Sequence, residues 1–269
     1  MKKLRVVNFD LTRTLECGQF FRYEKVGEFY FVTHGNYLFK IRQDNKTLYY
    51  QGVSKDFLKR FFRLGDPYCR ILNSTSNDNF IKRVIKINHG LRVIRQDPWV
   101  CLVSYLCSSN SNIPKITKNL NLIAKNFGKR IKLDSYENYS FPKPGEIDCK
   151  KTLRICRVGY RADFIYRVNK EVSYKELLRL RKRSYEEAKD FLIGIHGVGE
   201  KIADCVCLFS LDKLEAFPVD VWIKRAMEEH YFKAQSVSKS EIRGFARDYF
   251  GKYAGYANQF LFYYRRSQR

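Results

Sequence analysis

The stretch HGVG, residues 196–199, separates two helix-forming segments and cannot continue either of them. The first helix is predicted to run to about Ile193 and the second to begin near Glu200, so the motif covers about residues 184–211. Glycine allows the backbone to turn sharply and to approach a ligand closely. The fold of this chain must therefore accommodate two helices joined by a tight hairpin.

The hairpin is predicted to bind phosphate. The first amides of the second helix have no partner within the helix, and they lie at the positive end of its dipole. Groups of this kind bind phosphate well. We therefore expect DNA contacts from four hairpin residues, His196, Gly197, Val198 and Gly199. DNA-binding proteins without catalytic activity also contain such hairpins, so both readings stay open at this point.

The charge of the chain favours a polyanionic partner. Its 269 residues include 51 lysines and arginines against 28 aspartates and glutamates, a formal net charge of +23. This value lies well above the single-digit charge that keeps a small domain in solution. Nucleic acid is the commonest polyanionic partner, while a lysine-rich solvated surface is the alternative. No apolar run approaches the roughly 18 residues of a membrane span, so we expect no membrane partner.

The eight cysteines show no metal-binding pattern. None of them forms a CxxC pair, and the four histidines do not stand at zinc-finger spacing. No glycine-rich nucleotide-binding loop appears either. We therefore expect no bound metal and no organic cofactor, and reduced thiols that are mostly buried.

The two parts of the chain differ in their periodicity. Up to about Gly52, apolar residues alternate at period two between turn signals, which is typical of an antiparallel meander. Further on, Asp97 before a proline and the capping box at Ser184 indicate helix starts. We predict an α+β fold, in which an N-terminal antiparallel β-sheet domain (residues 1–76) packs on a mostly α-helical body (residues 77–269).

Lys201 stands at the start of the second helix of the hairpin motif, and Cys205 and Phe209 follow on the same helical face. A lysine at the edge of an apolar face is either a rim residue or a reactive amine. A reactive amine must be neutral, and both the helix dipole and apolar neighbours disfavour the ammonium form. A carboxylate should then lie nearby, and Asp220, the predicted N-cap of the next helix, is the candidate.

The segment LIGIHGVGEKIADCVCLFSLDKLEAFPVDVW resembles the helix–hairpin–helix, Gly/Pro-rich loop and aspartate signature of base-excision DNA glycosylases. Four further segments resemble the 8-oxoguanine DNA glycosylase family, in the family's order: LECGQFFRY, RVIRQDPWVCLVSYLCSSNSNIPKI, VGYRADFIY and YAGYANQFLF. The resemblance spans nearly the whole chain. The N-terminal β region is similar to the long form of the family.

The resemblance implies a bifunctional enzyme that flips 8-oxoguanine out of duplex DNA and removes it. Lys201 would attack the anomeric carbon, expel the base and form a Schiff base, after which β-elimination would cleave the strand. Asp220 would stabilise the cationic transition state.

The resemblance also implies a lesion pocket. Cys205 and Phe262 would pack on the two faces of the base, and Phe209 stands where the family has a methionine. The backbone carbonyl of Gly18 would accept the hydrogen that 8-oxoguanine carries on N7 and guanine lacks.

Three residues resemble family positions that contact the duplex left behind. Asn110 would fill the vacated space, Tyr160 would act as a wedge, and Arg161 would contact the orphaned cytosine through its planar donors.

Some positions depart from the eukaryotic members. Lys115 replaces a second arginine for the cytosine, which predicts weaker selectivity for the opposite base. Asn258 replaces a glutamine at the pairing edge of the lesion, although shifting the last helix by one residue makes Gln259 the reader. Trp222 and Arg265 replace a histidine and its acidic partner, from which we infer a rebuilt phosphate contact.

Two rival functions remain for comparison. A related glycosylase for another damaged or mismatched base would not need Gly18, Cys205 and Phe262 together. A non-catalytic helix–hairpin–helix protein would not need Lys201 and Asp220 at this spacing.

The expected partner is double-stranded DNA that contains 8-oxoguanine. The resemblance also allows a monovalent cation at the hairpin, bound by carbonyls near Gly197 and Gly199. We expect a monomer in a prokaryotic cytoplasm, associated with the nucleoid.

Overall fold

Five strands near the N-terminus pair into one antiparallel sheet in the computed structural model, which describes residues 1–268. They are β1 (Lys2–Arg5), β2 (Tyr23–Val26), β3 (Phe29–His34), β4 (Tyr37–Asp44) and β5 (Thr47–Gln51). In space they follow the order β1-β5-β4-β3-β2, so consecutive hairpins run from β2 to β5 and β1 adds an edge. The predicted antiparallel meander is confirmed.

The side chains of this sheet alternate as the period-two pattern requires. Tyr30 and Val32 on β3 and Phe39 and Ile41 on β4 are buried in the core of the β domain. Phe31, half-buried, stacks on the ring of Tyr136 at 4.1 Å between centroids. One face of the sheet therefore builds the core of the β domain, while the other contributes to its contact with the rest of the chain.

The remainder is mainly helical, as predicted. The helices are α1 (Leu11–Glu16), α2 (Lys55–Phe61), α3 (Tyr68–Thr75), α4 (Asn79–Ile87), α5 (Pro98–Ser108), α6 (Ile113–Phe127), α7 (Lys150–Leu153), α8 (Arg161–Glu171), α9 (Tyr174–Arg179), α10 (Tyr185–Ile193), α11 (Glu200–Ser210), α12 (Val221–Tyr231), α13 (Lys239–Phe250) and α14 (Ala254–Ser267). A two-stranded hairpin, β6 (Arg130–Leu133) and β7 (Tyr136–Tyr139), follows α6, and the sequence pattern does not predict it. Within residues 1–268 there is no helix whose length and apolarity would let it cross a membrane.

The helix starts near the predicted site lie where their caps place them. Asp97, Ser184 and Asp220 each accept a hydrogen bond from a backbone amide in the first turn of the helix that follows. The Ser184 cap is reciprocal, since the side chain of Glu187 accepts from the backbone amide of Ser184 at 2.8 Å. These local interactions determine the residues at which α5, α10 and α12 begin, without any tertiary contact.

Two hydrophobic cores lie side by side, one in the β domain and a larger one in the helical body. The boundary predicted after residue 76 does not separate them. Tyr68 and Ile71 precede that boundary and pack in the larger core, while Ile94 follows it and packs in the smaller core. The chain therefore crosses between the two cores more than once.

Polar contacts fasten the β domain to the helical body. Arg63, which follows α2, pairs with Asp212 at 2.6 Å, and Arg95 pairs with the same carboxylate. The hydroxyl of Tyr105 on α5 donates to the backbone carbonyl of the buried Gln19 at 3.2 Å. These contacts hold the segment around Gly18 against the helices that carry the predicted catalytic residues.

Candidate active site and DNA-binding surface

The predicted helix–hairpin–helix is formed by α10, residues 194–199 and α11. Gly197 adopts a φ of +87°, and an added Cβ there would lie 2.5 Å from Cγ of Phe164 on α8. The amide of Val198 donates to the carbonyl of Ile195 at 3.0 Å, which closes the turn. His196 and Gly199 are exposed, so the hairpin presents its backbone to solvent at the start of α11.

Lys201 lies in the first turn of α11 and is half-buried. Its Nζ is 2.9 Å from Oγ of Ser108 and 5.3 Å from the centroid of the Tyr105 ring. The Tyr105 ring stacks on Phe209 at 5.5 Å with an angle of 7° between the planes. The amine therefore lies against a wall of the site that side chains of α5 and α11 form. Ser108 and Tyr105 were not among the predicted site residues, although both stand in the segment that contains Asn110.

Asp220 lies at the first turn of α12, where its Oδ1 accepts from the amide of Ile223 at 2.8 Å. Burial raises the pKa of the Asp220 carboxyl above its ordinary 3.8, while that amide and the positive charge of Lys201 act in the opposite direction. The carboxyl and the amine therefore share one site. The predicted roles of Lys201 and Asp220 in one reaction stay a prediction.

Cys205 lies one turn beyond Lys201 and is buried. Burial raises the pKa of its thiol to about 12, with a smaller opposing effect from Lys201. The thiol therefore stays protonated at neutral pH and offers an uncharged, polarisable surface to the site.

A second wall of the site is formed by residues near the two ends of the chain. Gly18 adopts a φ of +89°, and an added Cβ would lie 3.1 Å from Cε1 of Phe262 and 3.0 Å from Cδ1 of Ile113. Tyr105 connects this wall to Lys201, because its hydroxyl donates to the carbonyl of Gln19 at 3.2 Å. The structure thus brings the predicted lesion-pocket residues Gly18 and Phe262 to the same site as Lys201.

The adjacent residues Asn258 and Gln259 point to different parts of this site. The side-chain amide of Asn258 donates to the carbonyl of Pro218 at 2.9 Å, in the loop that leads to Asp220. The side-chain amide of Gln259 donates to the backbone carbonyl of Cys17 at 3.2 Å, next to Gly18. Both side chains are buried, so Asn258 lies on the Asp220 side and Gln259 on the Gly18 side.

Arg161, predicted to contact the orphaned cytosine, is held by the protein in this structure, and the contact with cytosine stays a prediction. Arg161 is 3% exposed, and it donates to the carbonyls of Val158 at 3.2 Å, Asn110 at 3.1 Å and Ser109. Asn110 adopts a φ of +44°, and the turn it makes leaves carbonyls that need donors. Arg161 therefore supports the Asn110 turn. Asn110 itself is exposed, and Tyr160 is 54% exposed, as a base-filling residue and a wedge require.

Trp222 and Arg265, for which a rebuilt phosphate contact is predicted, each have a partner within the protein, and the phosphate contact stays a prediction. Arg265 pairs with Glu229 at 2.9 Å, near the other end of α12 from Trp222. Trp222 is partly exposed, with the guanidinium of Arg225 at 5.9 Å from its ring. Glutamate at position 229 thus engages the arginine that would otherwise face phosphate. Lys115 is exposed in the first turn of α6.

The hairpin carbonyls already take part in backbone hydrogen bonds. Those of Ile195 and Gly199 accept from the amides of Val198 and Ala203, each at 3.0 Å. A monovalent cation at the hairpin stays a prediction. Within residues 1–268, histidine, cysteine and acidic side chains form no group of three that could hold a metal ion.

A separate cavity of about 920 Å³ opens between the β domain and the helical body. His34, Tyr37, Trp99, Asp97 and Arg181 contribute to its wall. None of the predicted site residues lines it, and Lys201 and Asp220 lie elsewhere. We therefore place the candidate active site at the Lys201 amine, where the reactive groups lie, and not in this cavity.

Comparisons with known proteins show the family and the fold of this chain. The family model for the N-terminal domain of 8-oxoguanine DNA glycosylase matches residues 3–102. The N-glycosylase/DNA lyase OGG1 of Arabidopsis thaliana is 30% identical, over 97% of this chain and 78% of that protein. The N-glycosylase/DNA lyase of Saccharomyces cerevisiae is 31% identical, over 67% of this chain and 52% of that protein.

Two solved structures cover 99% of this chain and 95% of their own chains, each with a TM-score of 0.94. One is MBOgg1 in complex with a low-affinity DNA ligand, at 36% identity. The other is the 8-oxoguanine glycosylase/lyase of Clostridium acetobutylicum in complex with double-stranded DNA containing cytosine opposite 8-oxoguanine, at 30% identity. The similarity therefore includes the β domain as well as the helical body.

Proposed function

The chain belongs to the 8-oxoguanine DNA glycosylase family, and from this premise we propose that Lys201 is the nucleophile with which it removes 8-oxoguanine from duplex DNA. The protein is a bifunctional N-glycosylase/DNA lyase of base-excision repair. The observation that carries the assignment of Lys201 is its amine, which is half-buried at the helix–hairpin–helix and close enough to Asp220 for its charge to lower the pKa of that carboxyl.

The proposed reaction uses these two groups in different roles. The neutral amine of Lys201 attacks the anomeric carbon, the glycosidic bond breaks, and the base departs with the bonding electrons and takes up a proton. The nitrogen then loses a proton and the sugar ring opens to give a Schiff base. Asp220 stabilises the positive charge that develops on the sugar, since its carboxylate lies in a site of low polarity. β-Elimination from the Schiff base cleaves the strand.

The proposed lesion pocket lies between the walls described above. Cys205 and Phe262 would contact the two faces of the flipped base, and Gly18 would read its N7 hydrogen through the backbone carbonyl. Gln259 lies beside Gly18 and Asn258 beside the Asp220 loop, so we propose that both amides face the polar edge of the base. Phe209 stacks on Tyr105 and is as buried as Cys205, and we propose that it supports the same wall of the pocket.

The proposed duplex-binding surface combines the hairpin with the exposed residues Asn110, Lys115 and Tyr160. The hairpin amides would bind a backbone phosphate, and the charge of +23 would draw the protein to DNA in a salt-dependent manner. We further propose that the protein works in a prokaryotic cytoplasm, associated with the nucleoid, as a monomer.

The test is a trapping experiment with borohydride, which reduces a Schiff base to a stable covalent adduct. The substrate is a duplex with one 8-oxoguanine opposite cytosine, and an undamaged duplex of the same sequence is the control. The parent chain should give an adduct with the damaged duplex, while K201Q should bind it and give none. Base release without an adduct would refute Lys201 as the nucleophile. Binding without release would favour another lesion or a non-catalytic role.

A further inference from the structure

Ser108 lies beside the proposed nucleophile but has no role in the reaction described so far. It is the last residue of α5, and its Oγ is 2.9 Å from Nζ of Lys201 and 2.7 Å from the carbonyl oxygen of Tyr105. A serine hydroxyl has one proton to donate and two lone pairs that accept. The direction of that proton decides how the amine of Lys201 is held.

The carbonyl of Tyr105 determines this direction. It belongs to the last turn of α5, where carbonyls have no amide donor within the helix. A buried carbonyl without a donor is unfavourable, and Tyr105 is itself buried. The hydroxyl proton of Ser108 therefore goes to Tyr105, and the remaining contact of Oγ is as an acceptor for an N–H of Lys201.

We propose that Ser108 is a positioning residue for the nucleophile: it accepts one N–H of Lys201 and leaves the nitrogen lone pair free to face the sugar. If the hydroxyl proton pointed at Nζ instead, it would occupy that lone pair and block attack. The nitrogen keeps at least one N–H as free amine, as sugar adduct and as protonated Schiff base, the cationic form from which β-elimination proceeds. The same hydrogen bond can therefore hold the amine from attack through Schiff-base formation. This inference rests on the proposed function of Lys201.

The ring of Tyr105 supports the same geometry from a second side. Its centroid lies 5.3 Å from Nζ, and its stacking on Phe209 fixes the plane of the ring. Two contacts from one helix, an acceptor oxygen and an aromatic face, thus restrict where the amine can lie. Correct placement of a reacting atom strongly increases the rate of an enzymatic reaction.

The experiment compares variants at position 108 with a control on the same helix. S108A removes the hydroxyl, while S108T and S108V have the same shape and differ in that group alone. S104A is the matched control, because Ser104 makes an equivalent bond to the carbonyl of Val100 at 2.6 Å and is not in contact with Lys201. Each variant is tested for the single-turnover rate of borohydride-trapped adduct and for its Kd with the 8-oxoguanine duplex.

The expected result separates rate from binding. S108A and S108V should form adduct on the order of tenfold to a hundredfold more slowly, the range for loss of a hydrogen bond to a charged or reacting group. Their Kd should stay within about twofold of the parent, S108T should recover most of the rate, and S104A should match the parent.

Three outcomes would overturn the inference. In the first, S108A and S108V trap as fast as the parent. In the second, S108T is as slow as S108V, so that the hydroxyl is not the cause. In the third, S104A loses as much rate as S108A, which would indicate a general effect on α5. Failure of the parent chain to give any adduct would refute the role of Lys201 itself, and that result is distinct from the other three.

Discussion

Replacing Gly197 by alanine should destabilise the hairpin by an amount that the structure allows us to calculate. At a φ of +87°, a residue with a Cβ costs about 1–2 kcal/mol relative to glycine. The new Cβ would also lie 2.5 Å from Cγ and 2.8 Å from Cδ1 of Phe164, so that ring must shift, which costs about 1–3 kcal/mol. The free energy of unfolding should therefore fall by about 2–5 kcal/mol, and Tm by about 4–10 °C.

Gly199 provides the matched control in the same hairpin. Its φ is −92°, and an added Cβ would meet nothing within 4 Å. Alanine at this N-cap should cost less than about 1 kcal/mol. The two variants add the same methyl group two residues apart, so a difference between them reports local geometry and not composition.

The assay is thermal unfolding followed by circular dichroism, together with duplex affinity by fluorescence anisotropy. G197A should show the lower Tm and weaker binding, because the displaced hairpin no longer presents its amides together. In the background of F164A, the change from Gly197 to alanine should cost less than in the parent, since the contacts with the ring carbons are removed, while the 2.8 Å approach to Cβ of residue 164 and the backbone strain remain. Equal Tm values for G197A and G199A would refute the reasoning, and so would an undiminished cost in the F164A background.

Three further predictions concern charge and pocket shape. The rate of adduct formation should rise as the pH passes through the pKa of Asp220, which burial raises above 3.8. The variant D220N should lose most of the rate without losing duplex binding. Burial raises the pKa of Asp212, but Arg63 and other cations outweigh it and hold that pKa below 3.8. The ionised carboxylate therefore stabilises the folded state above pH 3.8, and this stabilisation is lost as the pH falls through the lowered pKa. D212N should therefore lower the free energy of unfolding by about 3 kcal/mol at pH 7, measured in urea, with a smaller difference from the parent at pH 3. G18A should slow single-turnover excision of 8-oxoguanine, because at a φ of +89° the new Cβ would lie 2.5 Å from Nη1 of Arg266 and 3.1 Å from Cε1 of Phe262. Unchanged excision would contradict this pocket wall.

The helix starts of the site could be predicted because their causes are local. Ser184 and Asp220 each bond to an amide three residues further along the chain, so a short window of sequence contains the complete interaction. The hairpin glycines are similar, since the φ of +87° at Gly197 is a property of the turn itself. The spacing of Lys201 and Cys205 on α11 follows from helical geometry alone.

The orientation of polar side chains could not be predicted in this way. Asn258 and Gln259 are neighbours on α14, and the periodicity of that helix is compatible with either one facing the pocket. The choice depends on Pro218 and on Cys17, which stands 242 residues away from Gln259. Arg161 is similar, because its burial depends on the carbonyls of a turn about fifty residues earlier. Long-range contacts of this kind leave no periodic signal in a single sequence.

The N-terminal β domain has a direct consequence for the chemistry at Lys201. The Gly18 wall belongs to the N-terminal part of the chain, while Lys201 belongs to the helical body, and Tyr105 contacts both. A change that loosens the interface between the two parts, such as D212N, moves the wall relative to the amine. Such a change should therefore slow adduct formation on an 8-oxoguanine duplex more than on an abasic duplex, because the abasic reaction needs Lys201 and Asp220 but no base in the pocket. Parallel trapping on a lesion duplex and on an abasic duplex measures this difference, and equal losses on the two substrates would show that the wall and the amine respond as one unit.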